Sequence, residues 1–169
     1  RWASNAVDPG IGMLERQSEI CFLRFDNILT EARPERLIVT TWPQSDHGLQ
    51  VESPMRPGKS MAQEPTAPAL SDGRLFCVFR TLTGKAWFAL SADHGRTWGE
   101  PRVLRTKPGG VPMLNPCAPC PMYKLNDGRF LFLFYNNDGS GHGGRGPIDP
   151  VNVRNPAWVT IGREIPGEP

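Results

Sequence analysis

The sequence carries one stretch twice. Ala69-Leu70-Ser71-Asp72-Gly73-Arg74-Leu75-Phe76 is echoed 55 positions later by Lys124-Leu125-Asn126-Asp127-Gly128-Arg129-Phe130-Leu131. Each copy sets Asp-Gly-Arg before an apolar run. Asp-Gly between two such runs signals a hairpin, because Gly accepts the positive φ of a tight turn. A further run with Ala-Trp follows each copy, at Ala86-Trp87 and Ala157-Trp158, and there the offset is 71. The second copy therefore holds 16 additional residues in one hairpin loop, and Asn136 to Gly146 (NNDGSGHGGRG) is where they fall.

Strand-like runs punctuate the rest: Ile20–Phe25, Arg36–Trp42, Arg74–Arg80, Lys85–Leu90, Arg129–Tyr135 and Ala157–Ile161. Several are apolar on both faces, as strands in stacked sheets are. Gly and Pro, 18 of each among 169 residues, make up about a fifth of the chain against a usual ~12%. That leaves almost no stretch able to sustain a helix, while 38% apolar and 9% aromatic content argues against disorder. A repeat of this length made of short strands predicts an all-β fold of β-propeller blades, ~40–50 residues each.

Bulk charge excludes some functions. The net charge is +2, with 19 basic and 17 acidic residues well mixed. No basic stripe supports nucleic-acid binding, and no apolar run approaches the ~18–20 residues of a membrane span. Cys117-Ala-Pro-Cys120 admits a zinc half-site or a redox pair. Zinc needs a second ligand pair, however, and Cys21, Cys77 and the three His do not supply one at fitting spacing. A redox pair opens a helix, whereas Pro116, Pro119 and Pro121 crowd this one. Buried or loop thiols without a metal are the expectation, with disulfide pairing left open.

After the run Lys85–Leu90 stands Ser91-Ala92-Asp93-His94-Gly95-Arg96-Thr97-Trp98, the S-x-D-x-G-x-T-W pattern of an Asp box. The Asp93 carboxylate and the Ser91 hydroxyl can satisfy hairpin N–H groups. Gly95 supplies a positive φ, Thr97 completes the pattern, and Trp98 packs back as a plug. The expected role is structural. Together with Gln63-Glu64-Pro65-Thr66, the Asp-Gly-Arg hairpins and Asn136-Asn137-Asp138-Gly139, the chain from about residue 18 to 165 resembles the sialidase superfamily, six-bladed propellers of BNR repeats. The second copy departs from the pattern, since Gly162-Arg163-Glu164-Ile165 stands where its Asp box belongs.

The resemblance implies an exo-acting glycosidase that releases terminal sialic acid, or a related acidic sugar, from glycans with retention. Three arginines grip the sugar carboxylate, a Tyr is the nucleophile, a Glu takes up its proton, and an Asp is the acid/base. No cofactor is implied. By position Glu64 matches the Tyr partner, Arg80 the second Arg and Arg154 the third, with gaps of 16 and 74. A solvated loop role for Glu64 and a surface role for Arg154 stand beside these assignments. Arg74 and Arg129, present in both hairpins, read as structural.

The first Arg and the Asp belong upstream in the family, where Arg1, Asp8 and Asp46 lie without a matching motif. The Tyr should follow Arg154, whereas Tyr123 and Tyr135 precede it. The loop Asn136–Gly146 either lines the mouth of the site or is a plain insertion. Trp42, Trp87, Trp98 and Trp158 read as packing residues rather than sugar-stacking platforms.

Three segments are expected: a partial preceding blade over 1–62, a blade with the Asp box over 63–115, and a following blade over 116–169 with a long loop at 136–155. About three blades cannot close a six-bladed ring. The expectation is an incomplete fragment, marginally stable and inactive alone, and secreted or periplasmic if its parent carries a signal peptide. The competing expectation is a non-catalytic Asp-box propeller that binds carbohydrate or protein, because a fold does not fix a function. A third keeps the family but changes the sugar.

Overall fold

A computed structural model describes residues 17–140 and 154–165. Arg1, Asp8 and the loop positions from 141 to 153 lie outside the described residues. Among those described the chain is all-β, with strands and a single turn of 3-10 helix at Pro34–Arg36.

Four antiparallel sheets form among the described residues. Strands β1 (Phe22–Phe25) and β2 (Val39–Trp42) make one pair, and β3 (Glu52–Ser53) and β4 (Arg56–Ser60) another. A four-stranded sheet runs in the order β5 (Ala62–Thr66), β6 (Leu75–Thr81), β7 (Trp87–Ser91), β8 (Arg102–Val103). A three-stranded sheet holds β9 (Met122–Lys124), β10 (Phe130–Phe134) and β11 (Trp158–Gly162), with β10 central.

The two copies of the repeat build these last two sheets in the same way. β5-β6-β7 and β9-β10-β11 have the same order, and Asp-Gly-Arg closes the turn into the central strand of each. Gly73 and Gly128 take φ of 88° and 84°. Asp72 accepts the Arg74 N–H at 3.0 Å and its Nε at 2.7 Å, and Asp127 and Arg129 repeat both contacts at the same distances. The paired arginines therefore brace turns.

The apolar run Leu75–Thr81 is explained by burial on both sides. Cys77 and Phe79 point into a core with Ile20, Leu49, Val51, Ala62 and Ala89. Phe76 and Val78, one pleat over, point into another with Phe88, Met113, Phe132 and Phe134. The β5–β8 sheet thus lies between the N-terminal segment and the β9–β11 sheet. Phe79 is 0% exposed, and burial of such a side chain contributes roughly 1.5–3 kcal/mol. The outermost layers remain open. Val159 and Ile161 on β11 and Tyr123 on β9 are exposed, as are Leu23 and Phe25 on β1.

Two segments differ from the sequence expectation. The run Arg36–Trp42 becomes strand only at Val39, because the Asn27 side chain caps the preceding turn. Its amide donates to the Arg36 carbonyl and its Oδ1 accepts the Ile38 N–H, offering the backbone an alternative to a ladder. Arg56-Pro57-Gly58-Lys59-Ser60 is a strand despite a composition unsuited to one. Its pairing with Glu52 and Ser53 and the Glu52 carboxylate on the Gly58 N–H override local propensity.

Candidate functional site

Arg80 lies near the end of β6, opposite Gln63 at the start of β5. The ladder is interrupted after Gln63 by a bulge, and Glu64 adopts a left-handed φ of 53°. Bulges re-aim side chains, and here Glu64 and Gln63 both reach Arg80. Arg80 Nη2 donates to Gln63 Oε1 at 2.7 Å and sits 2.9 Å from Glu64 Oε1. Nη1 donates to the Cys117 carbonyl at 3.5 Å. Arg80 is only 5% exposed, so its charge requires these partners. Arginine has no acceptor, so the Gln63 amide must present its oxygen to Arg80. That leaves Gln63 Nε2 buried and without a partner among the described residues.

Arg154 is exposed and enters β11 from the same end of the structure, since the strand start, Trp158, pairs with the β10 end, Phe134. Burial raises the Cys117 thiol pKa, the Arg80 and Arg154 charges oppose the rise, and Glu64 adds to it.

The Cys117–Cys120 turn is held by Asn115, fully buried. Its amide donates to the carbonyls of Pro116 and Ala118, and its Oδ1 accepts the Tyr135 N–H. No disulfide joins the four cysteines. Burial pushes Cys120 up to about 12 and Cys77 further, so both stand as neutral thiols at neutral pH. Among the described residues no group of three or more His, Cys, Asp or Glu is placed to hold a metal.

The Asp box sits at the other end of the β5–β8 sheet, where β7 finishes beside Leu75. Asp93 Oδ1 accepts the Ser91 hydroxyl and the Thr97 N–H, both at 2.8 Å, and Oδ2 accepts the Thr97 hydroxyl at 2.6 Å. The Gly95 N–H donates to Ser91 Oγ, and Gly95 has a φ of 89°. Trp98 Nε1 donates to the Gly95 carbonyl, and the indole stacks on Phe22 with ring centroids 4.9 Å apart. The box ties the β5–β8 sheet to the β1–β2 pair and lies away from Arg80.

The Thr97 hydroxyl, then its N–H, and the Ser91 hydroxyl hold Asp93 down to about 2, below the ordinary ~3.9. A depressed carboxylate contributes stability above its unfolded pKa and loses it as pH falls through the folded value. Asp93→Asn is therefore expected to lower Tm at pH 7 and at pH 5, and the gap to wild type should close between about pH 4 and about pH 2. Melting curves across that range check this, and a gap independent of pH contradicts it.

Where the second copy lacks a box, Glu164 crosses to the first hairpin and accepts the Ser71 N–H and hydroxyl. Lys124 donates to the Ala69 carbonyl at 3.0 Å alongside. Asp46 is exposed; its neighbour His47, with Nδ1 3.5 Å from Glu19, faces a carboxylate that no motif marks. Tyr123 is exposed and Tyr135 half-buried. The start of the long loop, Asn136–Ser140, abuts Gly84, where a Cβ would stand 3.0 Å from Asp138 Cβ. Gln63 and the Cys117 carbonyl complete the Arg80 cage; Gln63 stands in the Gln63-Glu64-Pro65-Thr66 segment with no role assigned to it from sequence, and the Cys117 carbonyl had no sequence signal. No helix among the described residues is long and apolar enough to cross a membrane. No protein-family model matches the chain, and no curated protein matches it.

Proposed function

We propose that the chain is part of an exo-acting glycoside hydrolase of the sialidase type, taking a terminal sialic acid or a related acidic sugar. The observation that carries this reading is the Glu64–Arg80 pair, 2.9 Å apart at the bulged start of β5, with Arg154 shortly before the start of β11. Guanidinium groups match a sugar carboxylate in geometry and retain their charge. Glu64 Oε2 has no partner among the described residues and is available to take a proton from a phenol nucleophile. The fold reading that accompanies it is about three blades of a six-bladed propeller. Two sheets of like strand order, one covered on both faces, and apolar side chains on the outer layers support it.

A second reading is favoured by the enclosure of Arg80, whose Nη2 is already taken by Gln63 and Glu64. Such a pair suits a non-catalytic propeller that binds carbohydrate or protein. Titration of the labelled chain with an unsaturated sialic acid analogue, followed by amide chemical shifts, separates the two. The hydrolase reading expects saturable shifts around residues 63–65, 80 and 117. It also expects Arg154→Ala to weaken binding at least ~10-fold, the value of one charged hydrogen bond. No saturable binding, or equal binding by Arg154→Ala, sinks it.

A further inference from the structure

The β9–β11 sheet is covered on one face only. Phe132 and Phe134 point into the core shared with Val78 and Phe88. Leu131 and Leu133 alternate with them along β10 and point the other way. The register sets Tyr123 and Ile161 on either side of Leu131, and Val159 beside Leu133. Directly paired residues share a face, so these five side chains form one apolar outer surface. Val159 is 56% exposed, and Tyr123 and Ile161 are exposed as well. A contiguous apolar face of this kind marks an interaction surface.

The repeat specifies what covers it. The offset of 55 carries Phe76 and Val78 onto Leu131 and Leu133, and the offset of 71 carries Phe88 and Leu90 onto Val159 and Ile161. Phe76, Val78, Phe88 and Leu90 are the side chains of the β5–β8 sheet that pack against Phe132 and Phe134 of the next sheet. The open face is therefore the counterpart, position for position, of one that a neighbouring sheet already covers. Its matching occupant is another apolar sheet face.

The chain carries such a face at its opposite end. Phe22 packs inward, onto Trp98 and the first core. Its neighbours in the pleat face outward: Leu23 is paired with Thr41 and Phe25 with Val39. All four are exposed, Leu23 at 65%. The stretches outside the described residues, 1–16, 141–153 and 166–169, are each shorter than the span Ala62–Val103 of the sheet that the repeat offers as precedent. We infer that two copies of this chain associate head to tail, the outer face of β9–β11 in one docking on the outer face of β1–β2 in the other. The contact is heterologous, so it closes into a ring or extends openly according to the rotation between copies. It draws on the repeat and not on the Glu64–Arg80 pair, so it goes beyond the hydrolase reading and stands or falls apart from it.

Sedimentation velocity of the chain and of the variants Val159→Glu and Leu23→Glu tests this. The wild type is expected to self-associate with a Kd of roughly 1–100 μM, as modest interfaces do. Each variant keeps one face intact and would bury an unpaired charge at the other, so each alone is expected to associate at least ~30-fold more weakly. Mixed in equal amounts, the two are expected to recover a dimer with about the wild-type affinity. The intact β9–β11 face of Leu23→Glu then meets the intact β1–β2 face of Val159→Glu, and recovery also shows that both variants are folded. Val159→Thr and Leu23→Thr, which keep strand-forming side chains, carry the same mixing experiment where Trp fluorescence shows that a Glu variant has lost its melting transition. A wild type that stays monomeric overturns the inference and leaves the face to another protein. A Leu23→Glu variant that self-associates as the wild type does also overturns it, in favour of like β9–β11 faces pairing. A mixture no more associated than its components overturns it as well.

Discussion

Gly48→Ala is expected to lower the unfolding free energy by about 3 kcal/mol, the upper part of the range for overpacked sites. A Cβ at position 48 would stand 2.2 Å from the Ile20 carbonyl oxygen and 2.8 Å from both Ile20 C and Cys21 Sγ. The obstacle is backbone, so no rotamer change relieves it. Ile20 and Leu49 exchange two hydrogen bonds of 3.0 Å, and the chain at 48 cannot retreat without stretching them. Retreat would also withdraw the Gly48 N–H from Glu19. Gly58→Ala is the control. Gly58 has a φ of 72° and nothing near its missing Cβ, so the cost there is the left-handed backbone alone, about 1–2 kcal/mol. Urea denaturation followed by Trp fluorescence compares them. Equal losses in the two variants contradict the close-contact argument.

The features legible in the sequence are those whose causes are local. The Asp box closes on itself through contacts no more than four residues apart, so its residues carry its geometry. The Asp-Gly-Arg turns behave alike, and the run Leu75–Thr81 announces burial on both faces by composition alone. What was not legible depends on pairing across the chain. Glu19 is fixed only because Gly48 and Gln50, about thirty residues on, hold its carboxylate. Gln63 presents an orphan amide only because Arg80 claims its oxygen. The enclosure of Arg80 follows from a bulge at Glu64, and Gln63-Glu64-Pro65-Thr66 does not spell one. Glu164 looks like a failed Asp box in sequence. In space it is a brace to a hairpin 93 residues away.

Glu64→Ala is expected to cost about 2 kcal/mol. Removing one member of a buried ion pair costs ~3–5 kcal/mol, because the other charge is left unpaired. Two features reduce that here: the Glu64 side chain is 42% exposed, and Gln63 Oε1 still accepts from the same Arg80 nitrogen. The remaining penalty belongs to the Arg80 charge, so Arg80→Met, which keeps most of the volume and removes the charge, should offset much of it. The double variant Glu64→Ala/Arg80→Met is then expected to be more stable than Glu64→Ala alone, which is the sign of coupling rather than addition. Glu64→Gly should be milder than Glu64→Ala by about 1 kcal/mol, since it relieves the left-handed φ of 53° that any side chain pays for. Urea melts of the wild type, Glu64→Ala, Glu64→Gly, Arg80→Met and the double variant give these differences, and a double variant no better than the sum of the single losses shows that the pair is not coupled. The same double variant divides the two functional readings. It should fold and yet lose the acidic sugar if Glu64 and Arg80 serve a hydrolase site. If the pair is only a brace, it should fold and bind glycan as the wild type does.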